Sequence, residues 1–294
     1  MLCACIDIGS NTTRVLVAEA GDGRIAEVLQ RRAFTRIGHG LGERAPIAEE
    51  KVAEVARVVA EHVELAASAG VTPERLRVVG TAAIRGALNG GALCAAIRER
   101  AGVRVEILDG DEEARLAFLG ATRTLPDPGS GRIGVADVGG GSSEIAIGTM
   151  AGGVEWSASF RIGSGLLTDV HVRSDPPAAG DLDAIRAHAR GVFEGLALRP
   201  PARAVAVGGS ATSLHRLVGG VLEPNSLARA IGVLAADPCE TVARRFGLDP
   251  VRVRLLPAGI LILDAVSRAL GRPLQIGRGG LREGVCLELA RVGS

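Results

Sequence analysis

The sequence predicts an α/β protein made of two related domains, each with a mixed sheet, flanking a central cleft. Three observations carry this prediction. The same order of elements occurs twice, each copy opens with three strands before helices and strands alternate, and a Pro/Gly-rich stretch, Thr124–Gly131, lies between the copies. Strands joined by a tight turn pair antiparallel, whereas strands separated by a helix pair parallel, so each copy needs a sheet of mixed direction.

In the first copy, CACIDIG, TRVLVAEA and RIAEVLQRRAFTRI read as strands, with Gly21-Asp22-Gly23 as a hairpin turn between the second and third. A helix is expected over about Ala48–Ala69, where Val52, Val55, Val59, Val63 and Ala66 recur at three- and four-residue spacing. The strand RLRVVGTA, a helix near Ala83–Ala101, the strand VRVEILD and a helix from about Glu112 to Thr124 complete this half. The second copy begins at Arg132. IGVADVG, SEIAIGTM and VEWSASFRI are its strands, with a glycine turn at Gly152-Gly153. A helix near Leu182–Leu196 precedes the strand RAVAVGG. Helical sequence then runs to about Leu270, with breaks expected near Pro224, Pro238, Pro250 and Pro257. PLQIG is a short last strand and Glu283–Val292 a closing helix. The expected domains are 1–124 and 125–294, with the last helix, about 283–292, able to pack back on the first; the linker between them would act as a hinge.

Composition narrows the function. With 47% hydrophobic and 23% charged residues the chain reads as globular, and a net charge of +1 argues against a nucleic-acid partner. An anionic ligand must therefore meet a local cluster of donors. Of the 34 basic residues only Lys51 is a lysine, a bias that suits bidentate oxyanion contacts and equally a coding preference. The five cysteines and five histidines show no metal-ligand spacing, so zinc is not expected, and Cys3 and Cys5 read as small core residues. Asp7 interrupts the first apolar run before it could serve as a signal peptide, and no apolar stretch reaches the ~18 residues of a membrane helix, so the expected location is the cytoplasm, with no membrane partner.

The chemistry-bearing segments sit where strands end. DIGSNTT, Asp7–Thr13, and DVGGGSSE, Asp137–Glu144, occupy the same place in the two copies. In the second, Gly139, Gly140 and Gly141 let backbone N–H groups approach an anion, and Ser142 and Ser143 add hydroxyls; Gly9, Ser10, Asn11 and Thr12 offer the same in the first. A strand-to-strand turn would explain one such loop, but two at matching positions point to a phosphate site. Asp7 and Asp137 beside phosphate imply an intervening cation, best Mg²⁺ held through water, with Glu144 able to share that role. In DGDEEAR, Asp109–Arg115, Asp111 reads as an N-cap, and Glu112 or Glu113 could be a general base; helix phase does not choose between them. Arg85 in GTAAIRGALNG lies just past a strand end, where it could neutralise a transferring phosphoryl group. Gly208, Gly209 and Ser210 in VAVGGSATSL form another strand-to-helix junction suited to an anion. Helix initiation explains these last two segments equally well.

Together, DIGSNTTRVLV, GTAAIRGALN, ILDGDEEARLAFLG, DVGGGSSEIAIG, VAVGGSATSL and GLREGV resemble the exopolyphosphatase / guanosine pentaphosphate phosphohydrolase (Ppx/GppA) family, spanning Asp7 to Val285. The resemblance implies two actin-like (RNase H-like) domains of the superfamily that holds actin, Hsp70 and sugar kinases. It implies Glu113 as the catalytic base, and Asp137 and Glu144 on metal and water. It also implies Asp7, Ser10, Asn11 and Arg85 on phosphate, with Gly208, Gly209 and Ser210 lining the same cleft. Longer members continue into an all-helical region, so this chain resembles a short two-domain member. The implied activity is Mg²⁺-dependent release of the terminal phosphate of inorganic polyphosphate, with guanosine pentaphosphate as the alternative substrate. The absence of Tyr and the single Trp, Trp156, tilt the reading toward polyphosphate, which needs no base-stacking surface. An actin-like ATPase or kinase and a non-catalytic sensor remain alternatives. A homodimer is the commonest assembly for an enzyme of this size.

Overall fold

A computed structural model of the chain describes residues 1–40, 45–127 and 129–292; Pro128 of the expected linker lies outside the described residues. The chain divides into two compact units. One comprises Met1–Pro126 together with the chain from Gly279 onward, and the other is Asp127–Arg278. The expected second domain ran to the end of the chain with its last helix able to pack back on the first; in the structure the chain from Gly279 onward belongs to the first unit.

In the first unit, β1 (Leu2–Ile8), β2 (Thr13–Gly21), β3 (Arg24–Ala33), β4 (Leu76–Gly80) and β5 (Val105–Ile107) form a sheet in the order β3-β2-β1-β4-β5. The β1–β2 and β2–β3 pairs are antiparallel, and β1–β4 and β4–β5 are parallel. The period-two alternation of β1 buries both faces. Ala4, Ile6 and Ile8 pack with Val55 and Val59 of α1 (Glu49–Ser68) and with Leu93 and Ile97. Cys3 and Cys5 pack with Leu116, Val285 and Cys286 on the opposite side.

The single helix expected near Ala83–Ala101 is two, α2 (Ala82–Gly86) and α3 (Gly90–Ala101). The Asn89 side chain causes the break: its Nδ2 donates to the Ile47 carbonyl at 2.8 Å and its Oδ1 accepts from the Ile47 N–H at 2.7 Å. That pairing fixes the chain at a bend which helical geometry could not supply. The helix α4 spans Gly110–Arg123 and is capped by Asp109, whose Oδ1 accepts from the Glu112 N–H at 2.8 Å. The expected cap, Asp111, instead lies within the first turn.

The second unit repeats the pattern. After β6 (Ile133–Val138), β7 (Ser143–Thr149) and β8 (Gly153–Phe160) come α5 (Ser164–His171), α6 (Ala179–Phe193), β9 (Arg203–Val207) and α7 (Gly208–Val218). The two-residue β10 (Val221–Leu222), α8 (Pro224–Ala236), α9 (Cys239–Phe246), α10 (Pro250–Leu270) and β11 (Leu274–Ile276) follow. The sheet order is β10-β11-β9-β6-β7-β8. Read outward from β6, it has an antiparallel hairpin side and a side parallel through β9 and β11, as the first sheet does from β1, with the short β10 added antiparallel at its edge. Pro257 does not break α10. The residues around it, Leu255 through Leu263, are all buried, and tertiary packing outweighs the hydrogen bond that a helix-interior proline loses. The closing helix α11 (Leu281–Val292) belongs to the first unit, where it packs on α4.

That packing is backbone against backbone. A β-carbon on Gly120 of α4 would overlap the Gly280 carbonyl, and one on Gly284 of α11 would overlap the Leu116 carbonyl. The contact admits nothing larger than glycine at either position.

Candidate active site

Three strand ends bring the first group of candidate residues together. The strands β1, β4 and β5 are parallel neighbours, with Ile8 opposite Gly80 and Gly80 opposite Ile107. Their carboxyl ends therefore open on one edge of the sheet, the edge at which α/β folds present ligand-binding groups. From β1 springs the Gly9–Thr12 loop, from β4 the short helix bearing Arg85, and from β5 the α4 helix bearing Glu113. The edge is tied together by the Thr81 N–H on the Ile8 carbonyl at 3.3 Å and the Leu108 N–H on the Gly80 carbonyl at 3.0 Å.

Glu113 is the member of the glutamate pair brought to this edge. It is 7% exposed, and its Oε2 accepts from Arg85 Nη1 at 3.1 Å. Arg85 Nη1 also donates to the Leu108 carbonyl at 2.5 Å, which fixes the guanidinium from a second direction. Glu112 points elsewhere and is held by Nε and Nη2 of Arg115, both at 2.7 Å.

The first loop closes by the Gly9 N–H on the Thr12 carbonyl at 3.0 Å. Asn11 Nδ2 is buried with no hydrogen-bond partner among the described residues. A buried amide donor left in that state carries a desolvation cost that an oxyanion would remove. Asp7 is the penultimate residue of β1 and lies opposite Arg14 of β2. Burial pushes its carboxyl above the ordinary aspartate value, against the pull of Arg282 and Arg14. Neither Arg14 nor Arg282 was singled out from sequence, although both lie in segments that were; the strand register and the return of α11 are what bring them to Asp7.

The second unit holds a matching arrangement. Asp137 is the penultimate residue of β6, and the Gly139 N–H bonds the Ser142 carbonyl at 3.0 Å, the same closure as in the first loop. The carbonyls of Gly139 and Gly140 accept from the N–H groups of Ser164, Gly165 and Leu166 at the start of α5, which anchors the loop from behind. Ser143 Oγ donates to the Ile162 carbonyl at 2.6 Å, so this hydroxyl serves the scaffold.

Asp137 stands directly across the β6–β7 ladder from Glu144, which is 3% exposed and accepts from Ser159 Oγ at 2.8 Å. Like charges placed opposite one another in a sheet repel, and a hard divalent cation with oxygen ligands relieves that repulsion. Among the described residues no three His, Cys, Asp or Glu side chains gather into one metal site, so Asp137 and Glu144 would hold a magnesium ion as a pair with water completing its shell; Asp7 is the corresponding carboxylate of the first unit. Gly208 adjoins Asp137 with φ of +86°, and a β-carbon there would overlap Asp137 Oδ1. Only glycine leaves this aspartate room.

The remaining residues of that segment line up on α7. Ser210 Oγ is buried without a hydrogen-bond partner among the described residues. The guanidinium of Arg252, at the start of α10 and 4% exposed, lies 2.7–2.9 Å from the point a Gly209 β-carbon would occupy. Arg252 was not singled out from sequence, where it sits among the apolar residues of a buried helix. A buried arginine beside a glycine-serine helix start is a feature that only tertiary structure shows.

Paired glycine loops, acidic strand ends and a buried glutamate–arginine pair are carried on two mixed sheets of the actin-like fold, and family membership makes the chain a hydrolase of phosphoric anhydrides. The chain belongs to the Ppx/GppA phosphatase family, which it matches over residues 16–292. It is 27% identical to exopolyphosphatase 2 of Mycobacterium tuberculosis, with 98% of each chain covered, and 28% identical to exopolyphosphatase 1 of Mycobacterium leprae, over 96% of this chain and 87% of that one. The crystal structure of the Aquifex aeolicus Ppx/GppA family member superposes with a TM-score of 0.82 at 27% identity, covering 100% of this chain and 99% of that one.

Proposed function

We propose that the chain is an exopolyphosphatase that removes the terminal phosphate of inorganic polyphosphate with the help of Mg²⁺. The observation that carries this reading is the buried Glu113 paired to Arg85 at the sheet edge from which the first loop springs. The names of the relatives, exopolyphosphatases at 27–28% identity, support the substrate class.

In the proposed step, Glu113 orients a water and takes its proton as the oxygen attacks the terminal phosphorus. The bond from that phosphorus to its bridging oxygen breaks, and the shortened chain leaves on that oxygen. Arg85 shifts from its carboxylate partner toward the phosphoryl oxygens, where a guanidinium offers paired donors to an oxyanion. Ser10, the Asn11 amide and the loop N–H groups hold the adjoining phosphate. The Gly139–Ser142 loop, Gly208, Gly209 and Ser210 offer phosphate the same kind of donors in the second unit. Mg²⁺ held by Asp137 and Glu144, with water completing its shell, would neutralise phosphate charge and so assist the departure of the shortened chain.

The test is phosphate release from polyphosphates of several lengths, with guanosine pentaphosphate and ATP alongside, with and without Mg²⁺. Release from polyphosphate that chelation abolishes is the expected result. Release confined to guanosine pentaphosphate would replace the substrate, and ATP-dependent transfer to an added sugar would replace the reaction class. Tight binding with no release under any divalent metal would make the protein a sensor.

A further inference from the structure

A small basic pocket adjoins the first loop and is used by none of the steps above. Its walls include Arg36, His39, Ala45, Pro46, Ile47 and Lys51, and it encloses about 250 Å³. Lys51 is the chain's sole lysine. Its ammonium donates to the Thr35 carbonyl at 3.0 Å and to Glu54 at 2.6 Å. Arg36 Nη2 lies 3.1 Å from His39 Nδ1, which brings those two heads to one side of the pocket.

The pocket is coupled to the first loop through the backbone. The Arg36 N–H donates to the Asn11 carbonyl at 3.0 Å, and the Gly38 N–H to the Ser10 carbonyl at 2.8 Å. Arg36 itself is held at φ of +49°, a left-handed conformation that is uncommon for a residue with a side chain. Such a residue persists only where its surroundings over-determine it, and it clusters at ligand sites. Here the conformation lets one residue both pin the loop through its N–H and present its guanidinium to the pocket.

We propose that this pocket is a distal anion subsite, which takes the phosphate groups of a linear oligophosphate that follow those held by the first loop. The inference rests on the oligophosphate reading of the first loop. The Arg36 guanidinium and the Lys51 ammonium, beside a His39 ring whose Nδ1 accepts from Arg36, offer donors that suit an anion. A volume below the ~300–1,000 Å³ of sites for drug-sized ligands suits a few phosphate groups rather than a nucleoside. The subsite would give the protein a preference for chains longer than those the first loop alone can hold.

The test uses Glu113→Gln as the non-hydrolysing background and compares calorimetric binding of orthophosphate, pyrophosphate, tripolyphosphate and long-chain polyphosphate in the presence of Mg²⁺. Into it are placed Arg36→Gly, which keeps the left-handed backbone available, and separately His39→Gln, which keeps a polar group of similar reach. The expected result is unchanged binding of the two short anions and a loss of roughly ten-fold for long chains, the scale of one charge-assisted contact. Equal weakening of every anion in Arg36→Gly would assign Arg36 to holding the loop, and no weakening in either variant would remove the subsite. Release assays on the unsubstituted protein separate the two readings. If it hydrolyses no polyphosphate while the length-dependent binding difference persists, the hydrolytic reading falls and the subsite stands.

Discussion

One nitrogen of Arg85, Nη1, lies 3.1 Å from Glu113 Oε2 and 2.5 Å from the Leu108 carbonyl. The proposed base and the proposed phosphate ligand therefore meet before any substrate arrives. A carboxylate so paired is held at a fixed position, and in the proposed step a phosphoryl oxygen would compete with it for the guanidinium. Substrate binding would then weaken the hold of Arg85 on the base.

Glu113→Gln keeps the shape and the hydrogen bond from Arg85 while removing proton acceptance. It is expected to lower kcat by ~10²–10⁴-fold with KM and melting temperature nearly unchanged. Steady-state phosphate release checks this, and near-unsubstituted turnover would remove Glu113 from the base role.

Asp7→Asn separates stability from function. Burial raises the carboxyl pKa in the folded protein, so at neutral pH the ionised form works against folding. That penalty is relieved as pH falls through the raised folded-state value. The amide is therefore expected to raise the melting temperature at neutral pH while lowering turnover. A variant that melts lower than the parent would contradict the sign.

Gly284→Ala drives a methyl group into the Leu116 carbonyl of α4. Overpacking of this kind costs about 1–3 kcal/mol. Urea denaturation is expected to show a loss of that order, accompanied by lower turnover because Glu113 rides on the displaced helix. Full activity at reduced stability would show that the glycine contact does not set the position of the base.

Glu288 links two elements of the same unit, since it accepts from Arg77 of β4 and from Arg115 of α4. Burial alone would raise its pKa, but the hydrogen bonds from Arg115 and Arg77 outweigh it and hold the carboxyl below its ordinary value of 4.5. A depressed folded-state pKa contributes stability that is present above the ordinary value and is lost as pH falls through the lowered one. Melting curves below about pH 4.5 are expected to fall more steeply for the unsubstituted protein than for Glu288→Gln.

Much of the fold was legible because two signals agree along this chain. The period-two runs around Asp7 and Asp137 and the turn glycines fixed the hairpins, and the Pro/Gly stretch fell between the copies. Bends made by side chains were not legible. Asn89 breaks a helix through Ile47, and a sequence carries no mark of that distant carbonyl. Pro257 misled in the opposite sense, because its cost is local while the burial that outweighs it is tertiary. Within the site, Glu112 and Glu113 are adjacent and equivalent to helix periodicity; the family resemblance chose Glu113, and the neighbouring ends of β4 and β5 are what bring it beside Arg85. Arg14, Arg252 and Arg282 escaped notice for a related reason. An arginine in an arginine-rich chain carries no signal until its neighbours are known.

The return of α11 to the first unit also has a consequence for synthesis. The helix bearing Glu113 packs against chain that leaves the ribosome only after all of the second unit has been made. For on the order of ten seconds, at the usual pace of elongation, the apolar face formed by Cys3, Cys5 and Leu116 waits without its cover. The nascent chain thus carries an open apolar flank whose cover, Val285, Cys286 and Ala290, is made only after the second unit.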